Sequence, residues 1–263
     1  MQGRLLPPVD GAIQRFPGAR WRDELALAAT VGLDAVEWIV DDAEGNPMTS
    51  NDGGLEVVRE TERTGVEVDS ICADLFMVHR LIDGRGAPQL LDQLIARAGR
   101  LGVHRIVLPF VDASSLRTAE ERDAVVPVIR QALPRCCRWG VELDLETDLG
   151  PDEFAELLDR IPDERVRVNY DTGNSASLGY DPAEELAAYG HRLGSVHIKD
   201  RRLRGPTVDL GRGDTRFGVV FDELARLGYA GDLVLQAARG EPGGEVERTA
   251  GHLAQVRSWR AGR

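Results

Sequence analysis

The chain has 263 residues, of which 42% are apolar and 29% charged, and its formal net charge at pH 7 is −12. This composition is typical of a globular protein with a large apolar core, and the acidic charge disfavours a broad nucleic-acid-binding surface. No apolar run approaches the roughly 20 residues that a membrane helix needs, and the first residues lack the pattern of a secretory signal peptide. We therefore expect a cytoplasmic protein with no membrane and no nucleic-acid partner.

Strands and helices alternate along the predicted chain. The start, 1–6, is too short for a complete strand, so either the first strand is a stub or the native start lies further upstream. Strands are then predicted at 34–40, 66–72, 105–110, 141–146, 166–171, 194–199 and 232–236. Helices are predicted at 21–31, 54–64, 87–101, 118–139, from 151, from 182, at 217–227 and at 244–259. The segment 201–214 is predicted to be a basic, glycine-rich loop.

Eight strand-then-helix units without a linker or low-complexity segment predict one domain spanning 1–263. We predict an α/β fold, a single (β/α)8 TIM barrel, for which a length of about 250 residues is typical. A doubly wound open sheet is the alternative, but it gives no reason for reactive side chains to recur at successive strand ends. Alternation along 141–146 puts Glu142, Asp144 and Glu146 on one face, which in a barrel is the interior.

Cysteine and lysine usage both carry information. The three cysteines predict no disulfide framework, because Cys136 and Cys137 are neighbours in a predicted helix and Cys72 lies in a predicted strand.

Of the 32 basic residues 31 are Arg, and Lys199 is the single Lys. A position that needs a compact ammonium group with a tunable pKa would resist replacement by Arg. Lys199 is therefore a candidate functional residue. The alternative is that a lysine remains at this position by chance.

The ends of the last four predicted strands carry side chains that bind metals. These are Glu146, Asp171, His197 and Gln236. Taken singly, an acidic residue at a strand end or a lone histidine is more often structural than a ligand. Two carboxylates and an imidazole that converge at one barrel mouth suit one divalent metal ion such as Mn²⁺, Co²⁺, Zn²⁺ or Mg²⁺. The amide of Gln236 could add a neutral oxygen.

The sequence at these strand ends resembles a known family. Leu-Glu-Thr at 145–147, Tyr-Asp-Thr-Gly-Asn at 170–174 and Val-His-Ile-Lys-Asp at 196–200 are similar to motifs of the sugar phosphate isomerase/epimerase family of xylose isomerase-like TIM barrels. That family also includes tagatose-type 3-epimerases, inosose dehydratases and, more distantly, endonuclease IV. The resemblance covers nearly the whole chain. It implies a metal held by Glu146, Asp171, His197 and the residue at 236, and a reaction that moves a proton next to a carbonyl.

Two positions depart from the family pattern. The family's epimerases have Glu where this chain has Gln236, and that Glu forms a pair of opposed bases with the Glu of strand five. An amide cannot accept a proton at neutral pH, so a symmetric two-base epimerisation loses one base. Asn174 stands where endonuclease IV and several epimerases have His, so a multi-zinc nuclease site lacks a ligand.

A one-base scheme remains. Glu146 would remove a proton from a hydroxy-ketone and return it at the neighbouring carbon, which is isomerisation, or hydroxide would leave instead, which is dehydration of a keto-polyol. Lys199 is the candidate second acid/base, and an ion pair with Asp200 or Glu146 is its structural alternative. A third reading is a carbohydrate-binding barrel that has lost catalysis because of Gln236.

Further residues are candidates for contacts with a small-molecule carbohydrate substrate. They lie at the predicted mouth or beyond strands seven and eight, the region in which barrels often bind phosphate. They are Arg4, Glu37, His79, Asn174, Arg201 and Arg239. A homodimer is a further possibility.

Overall fold

The computed structural model describes residues 1–84 and 86–262. Arg263, the last residue of the predicted domain, lies outside them. The strands are β1 Ala35–Ile39, β2 Glu67–Cys72, β3 Arg105–Phe110, β4 Glu142–Thr147, β5 Val166–Asp171, β6 Leu193–Ile198, β7 Asp200–Arg201, β8 Thr207–Val208 and β9 Asp232–Leu235. Within the described residues, seven strands form one parallel sheet in the order β1-β2-β3-β4-β5-β6-β9, and β7 and β8 form an antiparallel pair.

The N-terminal segment takes the place of an eighth strand. The backbone N–H of Glu37 in β1 donates to the carbonyl oxygen of Met1 at 2.8 Å, and the N–H of Gln2 donates to that of Leu235 in β9 at 3.1 Å. One short segment thus bridges the two edges of the sheet and nearly closes the ring. The predicted TIM barrel is confirmed.

Helices surround the barrel. They are α1 Trp21–Val31, α2 Asn51–Thr64, α3 Leu75–Val78, α4 Ala87–Arg100, α5 Ala119–Trp139, α6 Pro151–Asp159, α7 Thr172–Leu178, α8 Pro182–Tyr189, α9 Phe217–Arg226 and α10 Glu245–Ala261. In the described part of the chain, none is both long and apolar enough to cross a membrane. The strands' outward side chains pack against the helices; Ile106 and Leu108 of β3 and Ile129 of α5, for example, are fully buried.

Two elements near the ends of β5 and β6 differ from the sequence-based expectation. α7 begins directly after β5 because the Asp171 side chain accepts hydrogen bonds from the backbone N–H groups of Gly173 and Asn174, at 2.9 and 2.8 Å. Such a cap compensates for poor helix formers in the first turn. The predicted loop 201–214 contains part of the β7–β8 hairpin, which is held by Asp200. The backbone N–H groups of residues 211, 213 and 215 donate to its buried carboxylate.

The barrel interior below the strand ends is polar. Asp144 of β4 is fully buried and lies 3.1 Å from Arg105 Nε, and its Oδ2 atom is 2.6 Å from Ser195 Oγ. Ser195 Oγ is also 2.8 Å from Asn169 Oδ1. Asp144 and Glu146 point inward, as the alternation along β4 predicts. This layer supports the side chains at the barrel mouth from below.

Candidate metal centre

Three side chains converge where β4, β5 and β6 end. Glu146, Asp171 and His197 each offer one ligand atom, and these atoms all lie within 4.8 Å of one another. His197 Nδ1 is 3.6 Å from Glu146 Oε2 and 4.0 Å from Asp171 Oδ2. All three residues are buried. The strand ends therefore bring together three of the four predicted ligands, with the donor types that suit a divalent cation.

Glu37 orients the imidazole of His197. His197 Nε2 is 2.8 Å from Glu37 Oε1, and Ser70 Oγ donates to Glu37 Oε2 at 2.9 Å. A carboxylate behind one ring nitrogen holds a proton there and leaves the other nitrogen, Nδ1, facing Glu146 and Asp171. Because the Glu37 side chain is wholly buried, the structure places this predicted substrate contact behind His197 and away from the mouth.

The charged groups of the cluster shift one another's pKa values. Burial raises the pKa of Glu146 to about 7; Asp171 adds to the rise, and His197 and Lys199 oppose it. Burial alone would lower the pKa of His197, but Glu37, Glu146 and Asp171 outweigh that effect and raise the pKa to about 9. A carboxylate with a pKa near 7 is well matched to act as a general base at physiological pH.

Two amides hold the carboxylate of Glu146. Asn174 Nδ2 donates to Glu146 Oε1 at 2.8 Å, and Asn169 Nδ2 donates to Oε2 at 3.0 Å and lies 3.0 Å from His197 Nδ1. Asn174, a predicted substrate contact, thus lies at the site and contacts the candidate base. Asn169 was not among the predicted site residues. The two-residue period of β5 could have identified Asn169, because it puts Asn169 on the same face of the strand as Asp171.

Lys199 also lies at the site. Its Nζ atom donates to Asp171 Oδ2 at 3.2 Å and to Asn174 Oδ1 at 3.4 Å. Its ion pair is therefore with Asp171, and neither Asp200 nor Glu146, the two anticipated partners, takes that place. Arg201 NH1 donates to Asn174 Oδ1 at 3.0 Å. Two cationic side chains consequently converge on one amide at the edge of the metal cluster.

Gln236, the fourth predicted ligand, follows β9 and is buried. Its backbone N–H bonds to Ile198 O, which places it beside the end of β6. Its Nε2 atom donates to Gln2 Oε1 at 2.6 Å and to Gln14 Oε1 at 3.0 Å. Its Oε1 atom is buried and has no hydrogen-bond partner among the described residues. An orphaned carbonyl oxygen at the same rim of the barrel as this cluster fits a cation site, because a bound cation would satisfy it.

The remaining predicted contacts lie away from the cluster or are tied to the backbone. The guanidinium of Arg4 is buried and donates to Ala237 O at 2.8 Å and to Gln2 O at 3.1 Å. Arg239 donates to the carbonyl oxygens of residues 3, 6 and 13. His79 is exposed after α3. Arg4 and Arg239 therefore anchor the N-terminal segment, and substrate contact by any of the three stays a prediction.

Known proteins share this architecture. The sequence is 29% identical over 143 residues to an inosose dehydratase from Geobacillus kaustophilus (strain HTA426), a match that spans 46% of each chain. It is 25% identical to an L-ribulose-5-phosphate 3-epimerase from Salmonella typhimurium, over 92% of this chain and 89% of the relative. The D-psicose 3-epimerase structure from Clostridium cellulolyticum H10 superposes with a TM-score of 0.74 at 16% identity, covering 93% of this chain and 96% of that one.

The structural likeness at this level of identity shows the fold alone. The family assignment comes from the sequence, which matches the xylose isomerase-like TIM barrel family over residues 25–256. That range contains β1 to β9 and all three residues of the Glu146, Asp171 and His197 cluster. The chain therefore belongs to the xylose isomerase-like TIM barrel family.

Proposed function

We propose that this chain is a divalent-metal-dependent isomerase or epimerase that acts on a small sugar or sugar phosphate by proton transfer next to a carbonyl. The observation that carries the proposal is the convergence of Glu146, Asp171 and His197 within 4.8 Å at the barrel mouth. The relatives named as sugar epimerases support the reaction class. A cytoplasmic location and a homodimer stay predictions.

The proposed ion is Mn²⁺, Co²⁺, Zn²⁺ or Mg²⁺, held by Glu146, Asp171, His197 Nδ1 and the amide oxygen of Gln236. When bound, such an ion acts as a Lewis acid that polarises the carbonyl and hydroxyl oxygens of a sugar. Asp171 contributes through Oδ2, since its Oδ1 atom already accepts two backbone hydrogen bonds from α7. The ligand set carries two formal negative charges, and a Glu at 236 would add a third.

Glu146 is the proposed base. Burial raises its pKa, and the amides of Asn169 and Asn174 hold its two oxygens in place. Lys199 is the proposed acid: its ammonium group can donate a hydrogen bond to an enediolate or a proton to a departing hydroxide. The amide of Gln236 offers no second base. The scheme that fits these residues best is therefore transfer of one proton by Glu146 between neighbouring carbons.

Dehydration of a keto-polyol is the second candidate. It needs one base to remove a proton and one acid to protonate the leaving hydroxide, which Glu146 and Lys199 could supply without a base at 236. The replacement of the second base by Gln236 favours this candidate over a two-base epimerisation, and one relative is named inosose dehydratase.

Deuterium exchange tests the proposal. The metal-loaded chain is incubated in D₂O with a panel of ketoses, aldoses, their phosphates and inososes, and incorporation is followed by NMR and mass spectrometry. Isomerisation or epimerisation places deuterium at the carbon next to the carbonyl, whereas dehydration lowers the mass by one water. A chain that binds sugar but neither exchanges protons, interconverts sugars nor releases water would contradict both reactions and indicate a carbohydrate-binding barrel.

Replacing Glu37 by Gln is expected to weaken Mn²⁺ binding about tenfold to a hundredfold, the usual effect of losing a carboxylate behind a ligating histidine. The variant keeps the side-chain shape but loses the negative charge behind His197 Nε2. Titration calorimetry measures the change. Glu24→Gln is the control, because Glu24 is a buried carboxylate of α1 that bonds to the backbone N–H of Leu5 outside the site. Equal affinities in wild type and Glu37→Gln would show that Glu37 has no part in metal binding.

A further inference from the structure

A chain of hydrogen bonds runs from the end of β2 to the proposed fourth ligand. Gln14 Nε2 donates to Asp74 Oδ2 at 2.6 Å, and Gln14 Oε1 accepts from Gln236 Nε2 at 3.0 Å. We call Asp74, Gln14 and Gln236 the amide relay. Asp74 lies two residues after the end of β2, and Cys72 Sγ donates to its Oδ1 atom at 3.1 Å. Neither Asp74 nor Gln14 has a role in the function proposed above.

The relay has a direction that Asp74 sets. An ionised carboxylate only accepts hydrogen bonds, so Gln14 must turn its NH₂ group towards Asp74. Its carbonyl oxygen must then face Gln236, and Gln236 can meet that oxygen only with its own NH₂ group. The relay therefore provides no hydrogen-bond donor for Gln236 Oε1. This agrees with the lack of a partner for that atom in the described structure.

Gln2 does not set this direction. Its Oε1 atom also accepts from Gln236 Nε2, at 2.6 Å, but its own Nε2 atom is buried and has no hydrogen-bond partner among residues 1–84 and 86–262. Rotating the Gln2 amide by 180° would therefore break no hydrogen bond on the side of Gln2 that faces away from Gln236. The same change at Gln14 would bring its oxygen against the Asp74 carboxylate. The Asp74–Gln14 pair therefore resists reversal, whereas Gln2 does not.

We propose that Asp74 and Gln14 are positioning residues that make position 236 specific for a neutral amide ligand and disfavour a carboxylate there. The inference rests on the proposed metal site. A Glu at 236 would have only acceptor oxygens and would face Gln14 Oε1, which Asp74 prevents from turning. The relay thereby selects a ligand set with two negative charges and a site with one carboxylate base.

Reversing the relay tests this inference. In Asp74→Asn, the Cys72 thiol still favours an oxygen on its side, so the new NH₂ group faces Gln14. Gln14 then turns over and presents its own NH₂ group to position 236. That arrangement suits a carboxylate and opposes the amide of Gln236. The design is a double-mutant cycle of Asp74→Asn and Gln236→Glu, with Mn²⁺ affinity measured by titration calorimetry at pH 8 to keep Asp74 ionised.

Asp74→Asn alone is expected to weaken Mn²⁺ binding about tenfold, the equivalent of one misdirected hydrogen bond. Gln236→Glu should improve affinity by a factor at least about ten times larger in the Asp74→Asn background than in wild type. Asp148→Asn is the matched control, since Asp148 lies at the same mouth and bonds to Ser115 Oγ at 2.7 Å. Thermal melting confirms that each variant is folded.

The possible outcomes distinguish failure of the amide relay from failure of the proposed metal site. If wild type binds Mn²⁺ but Gln236→Glu changes affinity equally in both backgrounds, or if Asp74→Asn behaves like Asp148→Asn, the relay is refuted and the proposed function stands. If folded wild type binds none of Mn²⁺, Co²⁺, Zn²⁺ and Mg²⁺, the relay and the metal dependence are both refuted. Any variant that fails to fold is replaced by Gln14→Met, which removes the relay at a half-buried loop position and must also weaken binding.

Discussion

Glu146→Gln is expected to lower the rate of deuterium exchange at least about a thousandfold, within the range that a general base contributes. The amide keeps the shape of the side chain and one oxygen that can bind a metal ion, but it can no longer accept a proton. It also removes one negative charge from the ligand cluster, so Mn²⁺ affinity should fall as well. Exchange rates at saturating Mn²⁺ separate the two effects, because saturation restores binding and leaves only the loss of the base.

Glu142→Gln is the matched control for this prediction. Glu142 begins the same strand, β4, and its half-exposed side chain lies 3.8 Å from Arg105 at the opposite end of the barrel. This variant should keep wild-type exchange and wild-type Mn²⁺ affinity. Full exchange activity in Glu146→Gln at saturating metal would eliminate Glu146 as the base and would require another proton acceptor at the mouth.

Lys199→Met is expected to separate catalysis from metal binding. Turnover should fall about a hundredfold, the lower range for loss of a positioned acid. Mn²⁺ affinity should stay equal or improve, because the ammonium group lies 3.2 Å from Asp171 Oδ2 and competes electrostatically with a cation there. Measuring the exchange rate and the calorimetric Mn²⁺ affinity on the same preparation shows whether turnover falls while affinity is kept.

Arg202→Met provides the comparison, since Arg202 is exposed just beyond the site on the β7–β8 hairpin and also loses one positive charge. It should leave both quantities near their wild-type values. A Lys199→Met chain that turns over normally would assign Lys199 to the ion pair with Asp171 alone. A chain that loses metal along with activity would instead indicate that the ammonium group holds Asp171 in its ligating position.

The barrel was predictable because its signals are local. Apolar periodicity and glycine stops predict α1 at its observed limits and place the parallel strands within one or two residues of theirs. α7 was missed because its residues are poor helix formers, and a side-chain cap from Asp171 starts the helix. The closing N-terminal segment depends on hydrogen bonds to β1 and β9, which a stretch of six residues cannot reveal.

The site was predictable to the extent that it lies at strand ends. Glu146, Asp171 and His197 meet because adjacent parallel strands end at one rim. Glu37 was singled out, but its position behind His197 depends on a contact across 160 residues. The partners of Gln236 are more distant still, since Gln2 and Gln14 precede it by 234 and 222 residues. Neither glutamine belongs to a local pattern, so only the folded structure reveals the amide relay.

The most direct test of the central claim is deuterium exchange by one preparation in three states: metal-loaded, stripped by chelator and reloaded with Mn²⁺. We predict exchange next to the carbonyl of at least one sugar in the loaded state, its loss on stripping and its return on reloading, with the stripped chain still folded. Exchange that persists in the stripped chain would contradict a metal-dependent reaction at Glu146, Asp171 and His197.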